Sequence, residues 1–166
     1  MLKIMQFAFV LMFPFLSLSV HAQQAPDTIP SFQRFVSYET DSIVVNSDNL
    51  PDSGYIVFNF YDAGCGHCQE LGESIAKNFS SYAENSTFYF ISMNAKEYVD
   101  GFINTYTPSL KNQKNVIFLH DRGTEFFERF DPSHYPSTYI YDAKTRKLIH
   151  YFAGETNAKK FIPYLK

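Results

Sequence analysis

The sequence predicts an α/β domain with a central mixed β-sheet and helices packed on both of its faces. Short apolar runs of strand length alternate with stretches of helical periodicity, in the order β–α–β–α–β. Two further strand patterns then follow as a hairpin, before a last helical segment. Right-handed crossovers leave few other arrangements for this order of elements.

The first 22 residues have the pattern of a secretory signal peptide. Lys3 precedes an apolar run over residues 4–18, and residues 19–22 place small side chains at the offsets needed for cleavage after Ala22. The run is shorter than the roughly 20 apolar residues of a bilayer span, and it contains Pro14. We therefore expect a periplasmic or secreted protein, or a membrane-anchored one if the peptide is not cleaved.

What remains after cleavage is enough for one domain with its own core. Removing 22 of the 166 residues leaves 144, of which 23–31 are polar and predict a flexible lead-in to a folded domain at 32–166. Loss of Lys3 changes the formal charge from −3 to −4, and without a basic block this argues against nucleic acid as a partner. We expect the 18 Phe and 12 Tyr to fill the core of a monomer.

The first half of the domain contains three strand patterns and one helix. Two short β-prone pieces, 32–36 and 42–45, precede a turn-rich connection at 46–54. The run at 55–61 is almost wholly apolar, which predicts a strand buried on both faces. From Gly66 the pattern becomes helical. Its apolar stripe consists of Cys68, Leu71, Ile75, Phe79 and Tyr82.

In the second half, strand and helix patterns alternate until a polar turn at 142–147 joins two strands as a hairpin. Tyr98, Phe102 and Tyr106 lie on one side of the predicted second helix. The predicted elements are, in chain order, a strand at 87–93, a helix at 95–106 ended by Pro108, a strand at 116–119, a helical turn at 124–130, strands at 138–141 and 148–152, and a closing helix at 157–165.

Both cysteines lie in the tetrapeptide Cys65-Gly66-His67-Cys68, between a strand and a helix. This arrangement suits disulfide exchange, because two intervening residues let the sulfurs bond or separate and the helix N-terminus stabilises the first as a thiolate. The helical stripe includes Cys68 but not Cys65, so we expect a buried second sulfur and a more exposed first one. A bond across so short a loop adds little stability, which indicates a working disulfide in an oxidising compartment.

With these residues in place, the chain resembles the thioredoxin-like superfamily, and the exported TlpA/ResA-like branch in particular. Residues 57–61 look like that branch's lead strand, and 135–138 with the strand after them are similar to the family's cis-proline segment. Residues 152–154 resemble its closing strand and glycine. The similarity spans residues 32–166 and implies a thioredoxin-like fold with thiol-disulfide oxidoreductase activity.

The resemblance also implies roles for individual residues. Cys65 would be the attacking nucleophile and Cys68 the resolving thiol. Pro136, cis in the family, would lie against the pair, while the backbone of Tyr135 would hydrogen-bond an extended substrate segment, with Gly66 also at the substrate-binding surface. The substrates would be protein disulfides or dithiols, with a membrane redox partner and without a cofactor or metal.

Three residues near the cysteines depart from the family. Gly64 replaces the usual Trp. Asn59 stands where cytoplasmic thioredoxins have a buried Asp, although the TlpA/ResA-like branch also has Asn there, and this leaves the proton acceptor for Cys68 open. Glu70 and Glu73 are expected to form a solvated face instead. His67 makes the tetrapeptide similar to that of protein disulfide isomerases. A His near the Cys65 sulfur favours the thiolate, so we expect a potential above the roughly −270 mV of thioredoxin.

Two other functional classes stay open at this point. Two thiolates together with His134 or His120 offer the ligands that Cu(I) or zinc prefers, so a metal carrier of thioredoxin fold is one alternative. A structural zinc site, however, generally needs four ligands. The other alternative is a module that binds partners without catalysis. His21, in the expected signal peptide, and His150 are not expected to have a functional role.

Overall fold

The computed structural model describes residues 25–40 and 42–166, so the expected signal peptide, with His21, lies outside the described residues. The strands are β1 (Phe35–Ser37), β2 (Val44–Val45), β3 (Tyr55–Phe60), β4 (Ser86–Ser92), β5 (Val116–His120), β6 (Ser137–Asp142) and β7 (Leu148–Ala153). The α-helices are α1 (Gly66–Asn78), α2 (Lys96–Tyr106) and α3 (Glu125–Phe130). Short 3-10 segments cover Phe79–Ser81, Pro108–Leu110 and Ala158–Tyr164.

The strands form one mixed sheet in the order β2-β1-β5-β4-β3-β6-β7. β3 pairs in parallel with β4 and antiparallel with β6, so that Phe60 lies opposite both Ile91 and Ser137. β4 and β5 are also parallel, whereas β1, β2 and β7 pair antiparallel with their neighbours. The ends of β3 and β4 therefore lie side by side at one edge of the sheet, together with the start of β6.

Both faces of the sheet are covered, which confirms the predicted architecture. Along β3 the side chains alternate, with Val57 in one core and Phe58 in the other. The first core contains the buried residues of α1 and α2, and the second contains Phe126 and Phe130 of α3. Since β-branched and aromatic side chains fill both faces, β3 is buried on both sides, as the apolar run at 55–61 predicted.

Two helical segments differ from the sequence prediction. In α2 the buried residues are Val99, Phe102 and Ile103, and Tyr106 packs against the same core, while Tyr98 is 69% exposed. The predicted side of this helix is therefore right for Phe102 and Tyr106 and wrong for Tyr98. Because the three buried residues follow Tyr98 by one, four and five positions, the centre of the buried face lies about a quarter of a turn away from it. The predicted closing helix is a 3-10 segment, and it contains Pro163, whose missing N–H removes a donor that an α-helix would use.

The described part of the expected lead-in belongs to the folded domain. Ala25 is buried, and the carbonyl of Asp27 accepts a hydrogen bond from Leu148 N–H at 2.8 Å. Ile29 N–H donates to the carbonyl of Arg146 at 3.0 Å. These bonds join the segment to Arg146 in the turn before β7 and to Leu148, the first residue of β7. Across the described ranges, no helix is both long and apolar enough to cross a bilayer.

Candidate active site

The two cysteines lie where β3 ends and α1 begins. Cys65 is the N-cap residue of α1, with an extended backbone, and its carbonyl accepts a hydrogen bond from Gln69 N–H at 3.0 Å. Cys68 lies one turn later on the buried face of the helix and is 1% exposed, whereas Cys65 is half-buried. Both are free thiols. The difference in burial that the helical stripe predicted is confirmed.

Hydrogen bonds hold the loop between β3 and Cys65 in place. The Asp62 carbonyl accepts the Cys65 N–H at 3.1 Å, and its Oδ1 accepts the Gly64 N–H at 2.7 Å. The Ala63 N–H donates to Asn94 Oδ1 at 2.7 Å, and the Ala63 carbonyl accepts from Gln69 Nε2 at 3.0 Å. A loop with so many satisfied backbone groups presents Cys65 in one defined geometry.

Asn94 connects this loop to the neighbouring parallel strand. It lies two residues beyond the end of β4, and Ser92 Oγ also donates to its Oδ1 at 2.8 Å. Its Nδ2 lies 3.4 Å from Asp62 Oδ2. The Tyr38 hydroxyl donates to the Asn94 carbonyl at 2.7 Å, which ties the network to the residue after β1. Asn94 therefore positions both the backbone of Ala63 and the carboxylate of Asp62.

Sequence reasoning missed Asp62 and Asn94. Asp62 had a recognisable signal, because an Asp two residues before a Gly is typical of a turn in which the side chain accepts the second following N–H. Asn94 could be found from the topology, since the carboxyl ends of adjacent parallel strands lie at the same edge of a sheet. Both signals were present directly after the predicted strands.

The environment of Cys68 keeps its thiol protonated at neutral pH. Burial raises the pKa of this thiol well above its ordinary value. A backbone hydrogen bond with Asp62 opposes the shift, while a hydrogen bond with the Cys65 thiol and the charges of Cys65 and Asp62 add to it. Cys68 consequently needs a proton acceptor before it can act as a nucleophile.

The Tyr135–Pro136 peptide bond is cis, as the resemblance implied. The carbonyl of Pro136 accepts a hydrogen bond from Gly154 N–H at 2.8 Å, so the glycine after β7 holds the loop. The ring of Tyr135 stacks on Phe60 at 5.1 Å and is 37% exposed. Burial raises the pKa of its hydroxyl, and the charges of Asp62 and of the two cysteines add to this rise, so the hydroxyl shares their electrostatic environment.

A cavity of about 250 Å³ adjoins the cis-proline loop. Its wall combines aromatic and polar groups, and Phe127 of α3 is 47% exposed there. The Nδ1 atom of His134 lies 3.0 Å from Ser133 Oγ at its rim. The residues that line the cavity are Phe60, Phe127, Pro132, Ser133, His134 and Tyr135.

The remaining candidate residues lie around or away from the pair. Gly66 and His67 are exposed on the first turn of α1, and a Cβ built on Gly66 would meet nothing within 4 Å. The ring of His120 stacks on Tyr38 at 4.9 Å. Asn59 is buried, and its Oδ1 accepts a hydrogen bond from Thr138 at 3.2 Å. Within residues 25–40 and 42–166, no group of three or more His, Cys, Asp or Glu is arranged to hold a metal ion.

Solved structures with the same fold include several redox proteins. The thioredoxin domain of a thiol-disulfide oxidoreductase from Bacteroides vulgatus has a TM-score of 0.65 and 15% identity, covering 87% of this chain and 100% of that one. A secreted disulfide oxidoreductase of Mycobacterium tuberculosis, homologous to E. coli DsbE, has a TM-score of 0.62 and 15% identity, covering 80% and 96%. Peroxidoxin BcpB from the same organism has a TM-score of 0.66 and 15% identity, covering 86% and 96%.

These similarities confirm the thioredoxin-like fold. No protein-family model matches the chain, and no curated protein matches its sequence. At about 15% identity the solved structures share the fold, and the fold supports more than one chemistry. The fold by itself therefore does not identify the chemistry of the cysteine pair.

Proposed function

We propose that this protein is an exported thiol-disulfide oxidoreductase that exchanges disulfides with protein substrates through Cys65 and Cys68. The observation that carries the proposal is the asymmetry of the pair. Cys65 is half-buried at the N-cap of a 13-residue helix, where the unpaired N–H groups favour a negative charge. Cys68 is one turn away, buried, and protonated at neutral pH. Cys65 is thus suited to attack a disulfide first, and Cys68 is suited to react only in a later step.

The proposed reaction has two exchange steps. The Cys65 thiolate attacks a substrate disulfide, forming a mixed disulfide and releasing one substrate sulfur as a thiolate. Cys68 then loses its proton and attacks the Cys65 sulfur, so that the Cys65–Cys68 bond forms and the second substrate sulfur leaves. In the reverse direction the oxidised pair takes two electrons from a substrate dithiol. A membrane redox partner would return the pair to its starting state.

The cis-proline loop is the proposed surface for the substrate. Tyr135 is 37% exposed and shares the electrostatic environment of the cysteines, and Gly66 leaves the other side of Cys65 open. An extended segment lying along this loop would bring its disulfide to Cys65, and the adjoining cavity has room for one of its apolar side chains. His67, exposed on the first turn of α1, would favour the thiolate as the substrate approaches.

Export is part of the proposal and has separate support. Residues 1–22 have the charge, length and cleavage pattern of a signal peptide. A cysteine pair that cycles through a disulfide suits an oxidising compartment. One of the proteins with the same fold is a secreted disulfide oxidoreductase.

Trapping of the mixed disulfide tests this function. The full chain carrying Cys68→Ser, expressed in a Gram-negative host, should accumulate protein adducts that dithiothreitol releases, because the second step is blocked. The adducts should appear in the periplasmic fraction on non-reducing gels, at least about tenfold above the unaltered chain, in which Cys68 releases them.

The double variant Cys65→Ser/Cys68→Ser is the matched control and should form no adducts. If the Cys68→Ser chain traps no more protein than this control, disulfide exchange through Cys65 is refuted. Adducts confined to the cytoplasmic fraction would support exchange but contradict export.

A further inference from the structure

The second step of the proposed reaction requires a proton to leave a buried thiol. Cys68 is 1% exposed, so bulk water does not reach it freely. Several titratable groups share its electrostatic environment, from each element packed around it. They are Cys65 at the start of α1, Asp62 in the loop before it, Tyr61 at the end of β3 and Tyr135 in the cis-proline loop.

Most of these groups are unsuited to accept the proton. Burial raises the pKa of the Tyr61 and Tyr135 hydroxyls, so both are neutral at pH 7. Cys65 is bonded to the substrate at this step. On the strand below, Asn59 carries an amide, which is not a base, and its Oδ1 already accepts the Thr138 hydroxyl.

The carboxylates of α1 are also unsuited to accept this proton, because they lie on the solvated side of the helix. Glu70 is exposed, and Glu73 forms an ion pair with Lys77 at 3.3 Å on the solvated side of the helix. The exposure of these two residues agrees with the solvated face that the sequence predicted for them.

Asp62 is held at the base of the cysteine turn. Its carbonyl accepts the Cys65 N–H at 3.1 Å, and its backbone and its charge both act on the Cys68 thiol. Its carboxylate is oriented by two neighbours, with Oδ1 accepting the Gly64 N–H at 2.7 Å and Oδ2 lying 3.4 Å from Asn94 Nδ2. The residue is half-buried, so it can pass a proton on to solvent.

We propose that Asp62 is the proton acceptor for Cys68 in the resolving step, a role that rests on the proposed function. The proton of the Cys68 thiol passes to the Asp62 carboxylate, directly or through one water molecule. The Cys68 sulfur forms its bond to Cys65 while the bond between Cys65 and the substrate sulfur breaks, and the substrate leaves as a thiolate. Asp62 then returns the proton to solvent or to that thiolate. Asn94 positions the carboxylate.

A neutral small-molecule disulfide separates the two exchange steps in the folded, reduced protein. With excess 4,4′-dithiodipyridine, attack by Cys65 releases the first thiopyridone at a rate set by reagent concentration. Attack by Cys68 on the mixed disulfide releases the second at a rate independent of it. Both releases are followed by absorbance, and mass spectrometry confirms that the product holds the Cys65–Cys68 bond.

The Asp62→Asn variant tests the proposal because it keeps an oxygen for the Gly64 N–H while removing the base. We expect its second release at pH 7 to be slower by roughly tenfold to a thousandfold. Its rate should also rise about tenfold per pH unit, because hydroxide must then take the proton. Glu70→Gln, which removes an exposed carboxylate of the same charge, is the matched control and should leave both releases unchanged.

The sign of the effect distinguishes a base from a mere neighbouring charge. The charge of Asp62 disfavours the Cys68 thiolate, so a carboxylate with no other role would make the second release faster once removed. An unchanged or faster second release in Asp62→Asn overturns the proposal. Should this variant not fold, Asp62→Ser keeps an oxygen for Gly64 and carries the same comparison. If the unaltered chain released no first thiopyridone, that result would instead contradict the proposed function itself.

Discussion

Cys65 and Cys68 are three residues apart, yet they lie in different environments. One turn of helix separates a half-buried N-cap from a position that is 1% exposed. Burial raises the pKa of the Cys68 thiol, while Cys65 stays accessible at the helix start. Two thiols with the same intrinsic chemistry thus differ in exposure and in the ease with which they ionise, through geometry alone.

Alkylation measures this difference directly. In the folded, reduced protein at pH 7, iodoacetamide should modify Cys65 at least about tenfold faster than Cys68, because only a thiolate reacts and Cys68 is both protonated and covered. Because the pKa of Cys68 is raised, its modification should increase only as the pH becomes alkaline. Peptide mass spectrometry after timed quenching gives the two rates.

The unfolded chain provides the control for this measurement. In guanidinium chloride the two thiols should react at similar rates, since the burial that separates them is gone. Equal rates in the folded protein would contradict the assignment of Cys65 as the nucleophile.

At the scale of elements, α1 packs against α2 on the same buried face of the helix that carries Cys68. Gly72 lies on the buried face of α1, one turn beyond Cys68. A Cβ built there would lie 2.7 Å from Phe102 Cζ and 3.0 Å from Thr107 Cγ2. Phe102 is itself packed against Tyr61, with ring centroids 4.6 Å apart, so it has little room to move. The two helices need a glycine here in order to approach each other.

Two helical glycines make a matched pair for testing this contact. Gly72→Ala should lower the free energy of unfolding by about 1–3 kcal/mol, because the added methyl group overpacks the interface. Gly101→Ala in α2, where a Cβ meets nothing within 4 Å, should raise it by about 0.5–1 kcal/mol through helix propensity. Urea denaturation followed by circular dichroism gives both values. Stabilisation by both substitutions would show that α1 and α2 leave room for a methyl group at Gly72.

At the scale of the whole molecule, the sheet is enclosed by aromatic cores on both faces. Several buried tyrosines belong to them, and burial raises the pKa of each hydroxyl. For Tyr89 on β4 the pKa rises from 10.0 to about 12. The other tyrosines whose pKa burial raises by a large amount are Tyr38, Tyr61, Tyr82, Tyr139 and Tyr141.

This burial predicts a loss of stability at alkaline pH. An unfolded chain ionises its tyrosines near pH 10, whereas the folded one holds them neutral, so their contribution is fully present below pH 10. It should be lost as the pH rises from 10 to 12, the folded pKa of Tyr89, and beyond. Urea titrations at pH 8, 10 and 11.5, with the cysteine pair oxidised, should show a falling free energy of unfolding.

Tyrosinate absorbance at 295 nm provides the second readout. Its buried fraction should appear together with the unfolding signal, and Tyr89→Phe should reduce the loss of stability between pH 10 and 12. Complete tyrosine ionisation near pH 10 with the fold intact would contradict the described burial.

Local pattern was sufficient for most elements and for the cysteine pair. The strand at 55–61, the helix that begins at Gly66 and the burial of Cys68 all follow from periodicity within a few residues. Pro136 was found because its neighbours resemble a known segment, and its cis bond agrees. Tyr98 shows where local pattern fails. A helix with apolar residues on two sides buries the side that its neighbours can cover, and the sequence pattern does not say which side that is.

By itself, the sequence determined the order of strands and helices and which sulfur is buried, because both depend on side-chain spacing along a short stretch. Only the tertiary structure decided what surrounds that sulfur. Asp62 and Asn94 are 32 residues apart and meet because β3 and β4 end side by side. Such a contact depends on strand pairing and on loop geometry, and a period of two or of 3.6 residues carries no information about either.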